Sequence, residues 1–139
     1  MQSEFSAKKM KNKNWFITAS ILAGLAVAAG AFGAHGLKKI VEPQFVDTFK
    51  TGAQYQFYHA LAIGLTTLTS QFMDNVWIKR ANYSFFWGVL LFSGSLYVLT
   101  LGKVMGLEGI NWAGPITPIG GLFFLMGWLS LAWGVQKAV

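Results

Sequence analysis

Thr51-Gly-Ala-Gln-Tyr-Gln-Phe-Tyr-His59-Ala-Leu-Ala-Ile-Gly-Leu-Thr-Thr-Leu-Thr-Ser-Gln-Phe-Met73 runs for 23 residues without a Lys, Arg, Asp or Glu. A helix rising about 1.5 Å per residue needs about 20 residues to cross a hydrocarbon core of about 30 Å, so the stretch is long enough to cross once. It is also the least apolar of its kind in the chain, with Gln54, Tyr55, Gln56, Tyr58 and His59 in six positions and Thr66, Thr67, Thr69 and Ser70 after them. How it is read decides the fold. Counted as a crossing, it joins three other charge-free windows, 14–37, 81–102 and 109–136, of 24, 22 and 28 residues. Each can span once and none can span twice. The chain then reads as all-α: an integral membrane bundle of four transmembrane helices. The spans fall at about 15–37, 51–73, 81–102 and 116–136, after a basic N-terminal tail over 1–13.

Composition agrees. Of 139 residues 54% are hydrophobic and 12% charged, with a mean hydropathy of +0.47. Soluble domains carry roughly 25% charged residues, and a fold this small leaves too much surface in water to hide such an apolar excess. The chain has no cysteine, which removes disulfide scaffolds, thiolate metal sites and membrane chemistry run through a Cys pair. No linker, low-complexity tract or fixed-period repeat marks a second domain.

Lys8, Lys9, Lys11 and Lys13 ahead of an Ala/Gly-rich apolar stretch resemble a secretory signal, but such a signal has an apolar core of only about 7–15 residues, and Trp15 to Leu37 is a full span. An uncleaved first helix is expected. Met10 opens a second start, so residues 1–9 are either a natural extension or an added leader. With four crossings the tail, Lys79, Arg80 and Lys137 share one side, giving seven basic residues against four (Lys38, Lys39, Lys50, Lys103) on the other. Positive charge stays cytoplasmic, which places the chain in the inner membrane as a multi-pass protein with both termini in the cytoplasm. Without residues 1–9 the count is five against four. Trp15, Trp77, Trp112 and Trp133 fall near interfaces, where indoles prefer to sit, and Trp87 and Trp128 lie deeper as lipid or packing contacts. The charge of +6 answers to anionic headgroups and not to nucleic acid, which needs a basic soluble surface.

Small residues set the expected packing, because in lipid close backbone approach drives helix association. Gly120, Gly127 and Gly134 recur every seven residues, as do Gly88, Ser95 and Gly102, Ala19, Ala26 and Gly33, and Ala53, Ala60 and Thr67. Gly30, Gly33 and Gly36 give the first helix a bare flank whose spacing is not that of a dinucleotide fingerprint. Thr117 is expected to cap the fourth helix and Pro118 to open it. Leu37 to Lys50 mixes apolar and charged residues as an interfacial segment, in which Pro43 opens a helix that either lies on the surface or runs into the second span.

Candidate chemistry concentrates on the second span, which should face the bundle interior since polar groups in hydrocarbon need partners. His59 is one turn from Tyr55 and Gln56. An interhelical hydrogen-bond cluster is preferred for it over ligand binding. His35 is expected to cap its helix or meet a headgroup. Haem ligation by the two histidines is disfavoured because their spacing from Lys38 and Lys50 puts them about 9 Å apart in depth. No His, Cys or carboxylate supplies a third metal ligand within the spans, so neither metal nor cofactor is expected. Every Asp and Glu lies outside the four windows, which weakens a proton-coupled exporter, and no serine triad or carboxylate pair appears.

Gly30-Ala-Phe-Gly-Ala-His35-Gly36-Leu37, Thr51 to Leu61, Phe92-Ser-Gly-Ser-Leu-Tyr97 and Ile116-Thr-Pro-Ile-Gly-Gly-Leu122 together resemble domain-of-unknown-function family 423, small bacterial membrane proteins similar to the animal transmembrane protein 256 group. The resemblance runs from Trp15 to about Ala132 and implies a four-helix integral membrane protein; it carries over no reaction, substrate or cofactor. Its blocks fall on His35, Gln56, Tyr58, His59, Ser93, Ser95, Tyr97, Thr117 and Pro118. The leading expectation is a structural or membrane-organising protein that is not an enzyme, with the bilayer and either further copies of itself or another membrane protein as partners. The alternative is binding or transport of a lipid, quinone or other small hydrophobic molecule in a polar pocket of His35, Gln54, Gln56, Tyr58, His59 and Tyr97. Proton transfer by His59 as an enzyme ranks third.

Overall fold

The computed structural model describes residues 9–138, and that part of the basic tail which precedes Lys9 lies outside them. Four long helices carry the fold: α1 Lys13–His35, α2 Pro43–Thr69, α3 Val76–Val104 and α4 Ile116–Ala138. No strand occurs among the described residues. Short 3-10 turns, Leu37–Lys39 and Ile110–Ala113, sit in the connections before α2 and α4.

Local chemistry marks the ends. Pro43 stands in the first turn of α2, where a missing N–H costs nothing. The Asn75 side chain accepts from the backbone N–H groups of Trp77 and Ile78 at 3.1 and 3.2 Å, capping α3. Gly106 and Gly109 take φ of +64° and +85° in the turn that follows α3, a left-handed backbone that side chains disfavour.

Two boundaries differ from the sequence reading. The interfacial segment is mostly helix, in the second of its two expected arrangements, and what changes is the start of the span: α2 begins at Pro43 and runs unbroken through Asp47 and Lys50 into the stretch from Thr51. Pro118 is the third residue of α4, which opens at Ile116, and the Thr117 hydroxyl lies 2.7 Å from that of Ser95 on α3 instead of capping its own helix. A proline is harmless there because first-turn amides have no intrahelical acceptor.

Close contacts give the order of packing. Gly33 faces Phe49 and the Gln56 amide reaches Leu22, so α1 and α2 run antiparallel. Asn82 meets Thr67 and Tyr97 meets Gln56, so α2 and α3 do too. Gly134 lies on Ile78, Gly127 on Phe85 and Gly120 on Phe92, which makes α3 and α4 the third antiparallel pair. The bundle is up-down-up-down, with α2 joining the α1 and α4 sides. Its core gathers Ala19, Ala62, Ile63, Ile78, Ala81, Phe85, Val89, Phe124 and Leu131.

Outside, the bundle is covered by apolar side chains such as Ile21, Leu65, Leu122 and Leu129, the last 71% exposed. Three segments, Lys13–Lys39, Val76–Val104 and Ile110–Ala138, are long and apolar enough to cross a membrane. The expected fourth, α2, is long enough at 27 residues but falls short in apolar character, with Gln56, His59, Thr66 and Thr67 on its buried face and Gln54 and Tyr58 on its exposed one.

Candidate functional site

Helical geometry divides the polar stretch of α2 in two. At about 100° per residue, Gln56 and His59 share the inward face with Gly52, Ala53, Ala60 and Ile63, whereas Gln54 and Tyr58 point outward. Gln56 and His59 are buried at 6% and 5% exposure. Gln54 and Tyr58 are exposed and pair with one another, amide to hydroxyl, at 2.5 Å.

Gln56 bridges three helices. Its Nε2 donates to the Leu22 carbonyl of α1 at 2.8 Å, and its Oε1 accepts from the Tyr97 hydroxyl of α3 at 2.8 Å. The ring of Tyr97 continues into Phe49, 4.7 Å away between centroids, and lies over Gly52, where an added Cβ would come within 3.0 Å of it.

His59 belongs to a separate cluster against α4. Its ring lies flat on Phe124, with centroids 3.4 Å apart and planes 6° from parallel. Nδ1 stands 2.8 Å from the Tyr55 carbonyl, which can only accept, so that nitrogen carries the proton. Nε2 then accepts from the Trp128 indole N–H at 3.3 Å. Neither ring nitrogen is left for a ligand.

The six residues grouped from the sequence therefore separate. Gln56 and Tyr97 are joined; His59 stacks elsewhere; Gln54 and Tyr58 form an outer pair; and His35 is the last residue of α1, exposed. Since Gly33 lies opposite Phe49 and α1 runs antiparallel to α2, His35 is level with about residue 47, and it differs in depth from His59 by about twelve residues, roughly 18 Å, more than the spacing from flanking charges indicates. The grooves described on the surface, of about 430 and 660 Å³, are lined by other residues than His59.

The small residues show a sharper pattern. Ala19, Ala26 and Gly33 are the buried positions of α1, and Gly120, Gly127 and Gly134 are buried along α4 beside Phe124 and Leu131. A Cβ on Gly120 would run into the backbone of Phe92, one on Gly88 into the Phe124 ring, and one on Gly134 to 2.9 Å from Ile78. Gly127 is covered by the Phe85 ring, which a Cβ would meet at 2.5 Å. Gly30 differs: a Cβ there would meet nothing within 4 Å, and the residue lines the open 430 Å³ groove with Lys50 and Gln54.

Several contributors escaped the sequence reading. Asn82, the amide in the third window, donates to Thr67 at 3.3 Å, and its Oδ1 is buried without a partner among the described residues. Thr100 donates to the Phe45 carbonyl at 3.2 Å. Gln71 clasps the backbone of Lys11 in both directions, 2.9 and 2.8 Å, and Asp74 takes Lys11 and Lys79 at 3.7 and 3.6 Å. Phe124 and Trp128, four residues apart on α4, had a usable signal, because that spacing puts two aromatics on one face.

The sequence profile of a family described as "Protein of unknown function (DUF423)" matches residues 29–121. A "UPF0382 membrane protein" of Haemophilus influenzae is 43% identical over 130 residues, covering 93% of this chain and 98% of the relative. "UPF0382 membrane protein YwdK" of Bacillus subtilis is 36% identical over 90% of this chain and 98% of its own length. "UPF0382 inner membrane protein YgdD" of Escherichia coli is 36% identical over 92% and 93%. No solved structure matches the chain.

Proposed function

Because this chain belongs to the DUF423 family, whose relatives above are membrane proteins, we propose that it crosses the inner membrane four times, termini inside, and serves there as a structural or membrane-organising protein. The observation that carries this reading is the state of α2. Its two most polar buried side chains, Gln56 and His59, are engaged at both polar ends by α1, α2, α3 and α4. Polar groups spent on one another act as interhelical glue and leave little to recognise a substrate. A polar helix can cross a membrane when its neighbours supply the partners that lipid lacks, and this accounts for the modest hydropathy of α2.

Two measurements test the proposal. The absence of cysteine makes single introduced thiols clean reporters. Ile40→Cys and Leu107→Cys should react with an impermeant maleimide from outside the cell, and Met73→Cys should not; reaction at both Ile40 and Met73 removes the crossing by α2, and reaction at Met73 without Ile40 reverses the termini. Native mass spectrometry from lipid particles then compares the wild type with His59→Phe, which keeps the stack on Phe124 and removes both nitrogens. A stable oligomer or protein complex preserved in both supports the structural role. A solitary monomer, or a small hydrophobic molecule lost with His59, defeats it.

A further inference from the structure

A groove of about 660 Å³ opens between the first half of α3 and the last half of α4, walled by Trp77, Arg80 and Tyr83 on one side and Met126, Leu129 and Trp133 on the other. That volume lies within the range of about 300–1,000 Å³ typical of ligand sites. The residues follow helical spacing on both walls, so the groove runs along the helices. From Trp133 to Met126 it covers seven residues, about 10 Å of depth. Ser84 and Ser130 add a hydroxyl to each wall.

Charge sits at one end. Among the described residues Asp74 is engaged by Lys11 and Lys79, while Arg80 has no carboxylate partner. Its guanidinium lies over the Trp77 ring, 4.8 Å from the centroid, and across the mouth Lys137 stands 5.3 Å over Trp133. A guanidinium over an indole face still has N–H donors to offer an oxyanion.

We propose that this groove binds one anionic phospholipid, its phosphate on Arg80 and an acyl chain laid along the wall from Trp133 to Met126. The cation at the rim, the indoles at headgroup level and the apolar walls below follow the order of a phospholipid from head to tail. A soluble phosphate would meet Arg80 and use none of the roughly 10 Å of apolar wall that continues from it. The site rests on the membrane reading of α3 and α4 and goes beyond it, because a structural role requires no particular lipid.

Native mass spectrometry of the full chain from micelles holding phosphatidylglycerol and phosphatidylcholine in equal amounts provides the test. One phosphatidylglycerol should be retained in preference, Arg80→Gln should lower its occupancy about tenfold, and Lys39→Gln at the other end of the bundle should leave it unchanged. Ser130→Trp, which fills the groove without touching charge, should lower it as well. Equal retention of the two lipids, or full retention by Arg80→Gln, overturns the proposal. Labelling of Leu129→Cys by a water-soluble maleimide separates the failures. A shielded thiol with no lipid preference defeats the lipid site alone, and a reactive thiol defeats the membrane reading beneath it.

Discussion

Helices α2 and α4 are similar in length, 27 and 23 residues, and are held by opposite means. Helix α4 buries Gly120, Phe124, Gly127, Leu131 and Gly134 and no polar side chain. Its grip is close approach, Gly120 against the backbone of Phe92, Gly127 against the ring of Phe85 and Gly134 against the side chain of Ile78. Helix α2 buries Gln56, His59, Thr66 and Thr67 and is tied by hydrogen bonds to its neighbours: Gln56 donates to Leu22 and accepts from Tyr97, His59 accepts from Trp128, and Thr67 accepts from Asn82. In lipid, packing is the main attraction between helices, whereas interhelical hydrogen bonds average only about 0.6 kcal/mol. The glycine contacts should therefore matter more to stability, and the polar contacts more to which helix meets which.

That comparison can be broken most directly at Gly120. Gly120→Leu puts a side chain into the backbone of α3 and should cost about 3 kcal/mol or more in detergent-unfolding titrations followed by circular dichroism. A loss smaller than that of any polar variant would reverse the ranking. His59→Leu is next, since it leaves the Trp128 N–H without its acceptor and removes the ring stack on Phe124; about 2 kcal/mol is expected by the same titration. A double-mutant cycle of Gln56→Leu and Tyr97→Phe should return a coupling of about 1 kcal/mol, and a value near zero would strip the bridge of its role. The smallest effect belongs to Gly30→Ala. With open space at that Cβ it should gain up to about 0.5 kcal/mol from helix propensity, whereas Gly33→Ala, 3.0 Å from the Phe49 ring, should not.

Much of the architecture is legible in the sequence because charge is expensive in an apolar medium, so its absence outlines the helices. Charge is a poor guide to where a helix starts, however. Asp47 and Lys50 sit on exposed flanks of the first turns of α2, so a window cut at Thr51 trims two helical turns. Hydropathy reads poorly at α2 because it averages the buried Gln56, His59, Thr66 and Thr67 with an outer face where Gln54 and Tyr58 stand beside Leu61, Leu65 and Leu68. Among site residues, the 3.6-residue period separates Gln56 and His59 from Gln54 and Tyr58 without any structure. The partners do not follow in the same way. Trp128 and Asn82 reach α2 only through the register of α4 and α3 against it, which no local pattern encodes.

Helix α3 also contains a π turn, Val89–Ser93, at the place where Gly120 brings α4 onto Phe92. A π turn holds one residue more than the α-helix around it, so everything beyond it is rotated by about 100° relative to an uninterrupted rod. Each half of α3 meets both neighbours, Ile78 and Phe85 lying on α4 and Asn82 on α2 before the turn, Ser95 on α4 and Tyr97 and Thr100 on α2 after it. A residue lost between Val89 and Ser93 would leave an unbroken helix whose first half still docks and whose second half turns Ser95, Tyr97 and Thr100 away from their partners. In a chain so dependent on register, those five residues are where length itself carries information.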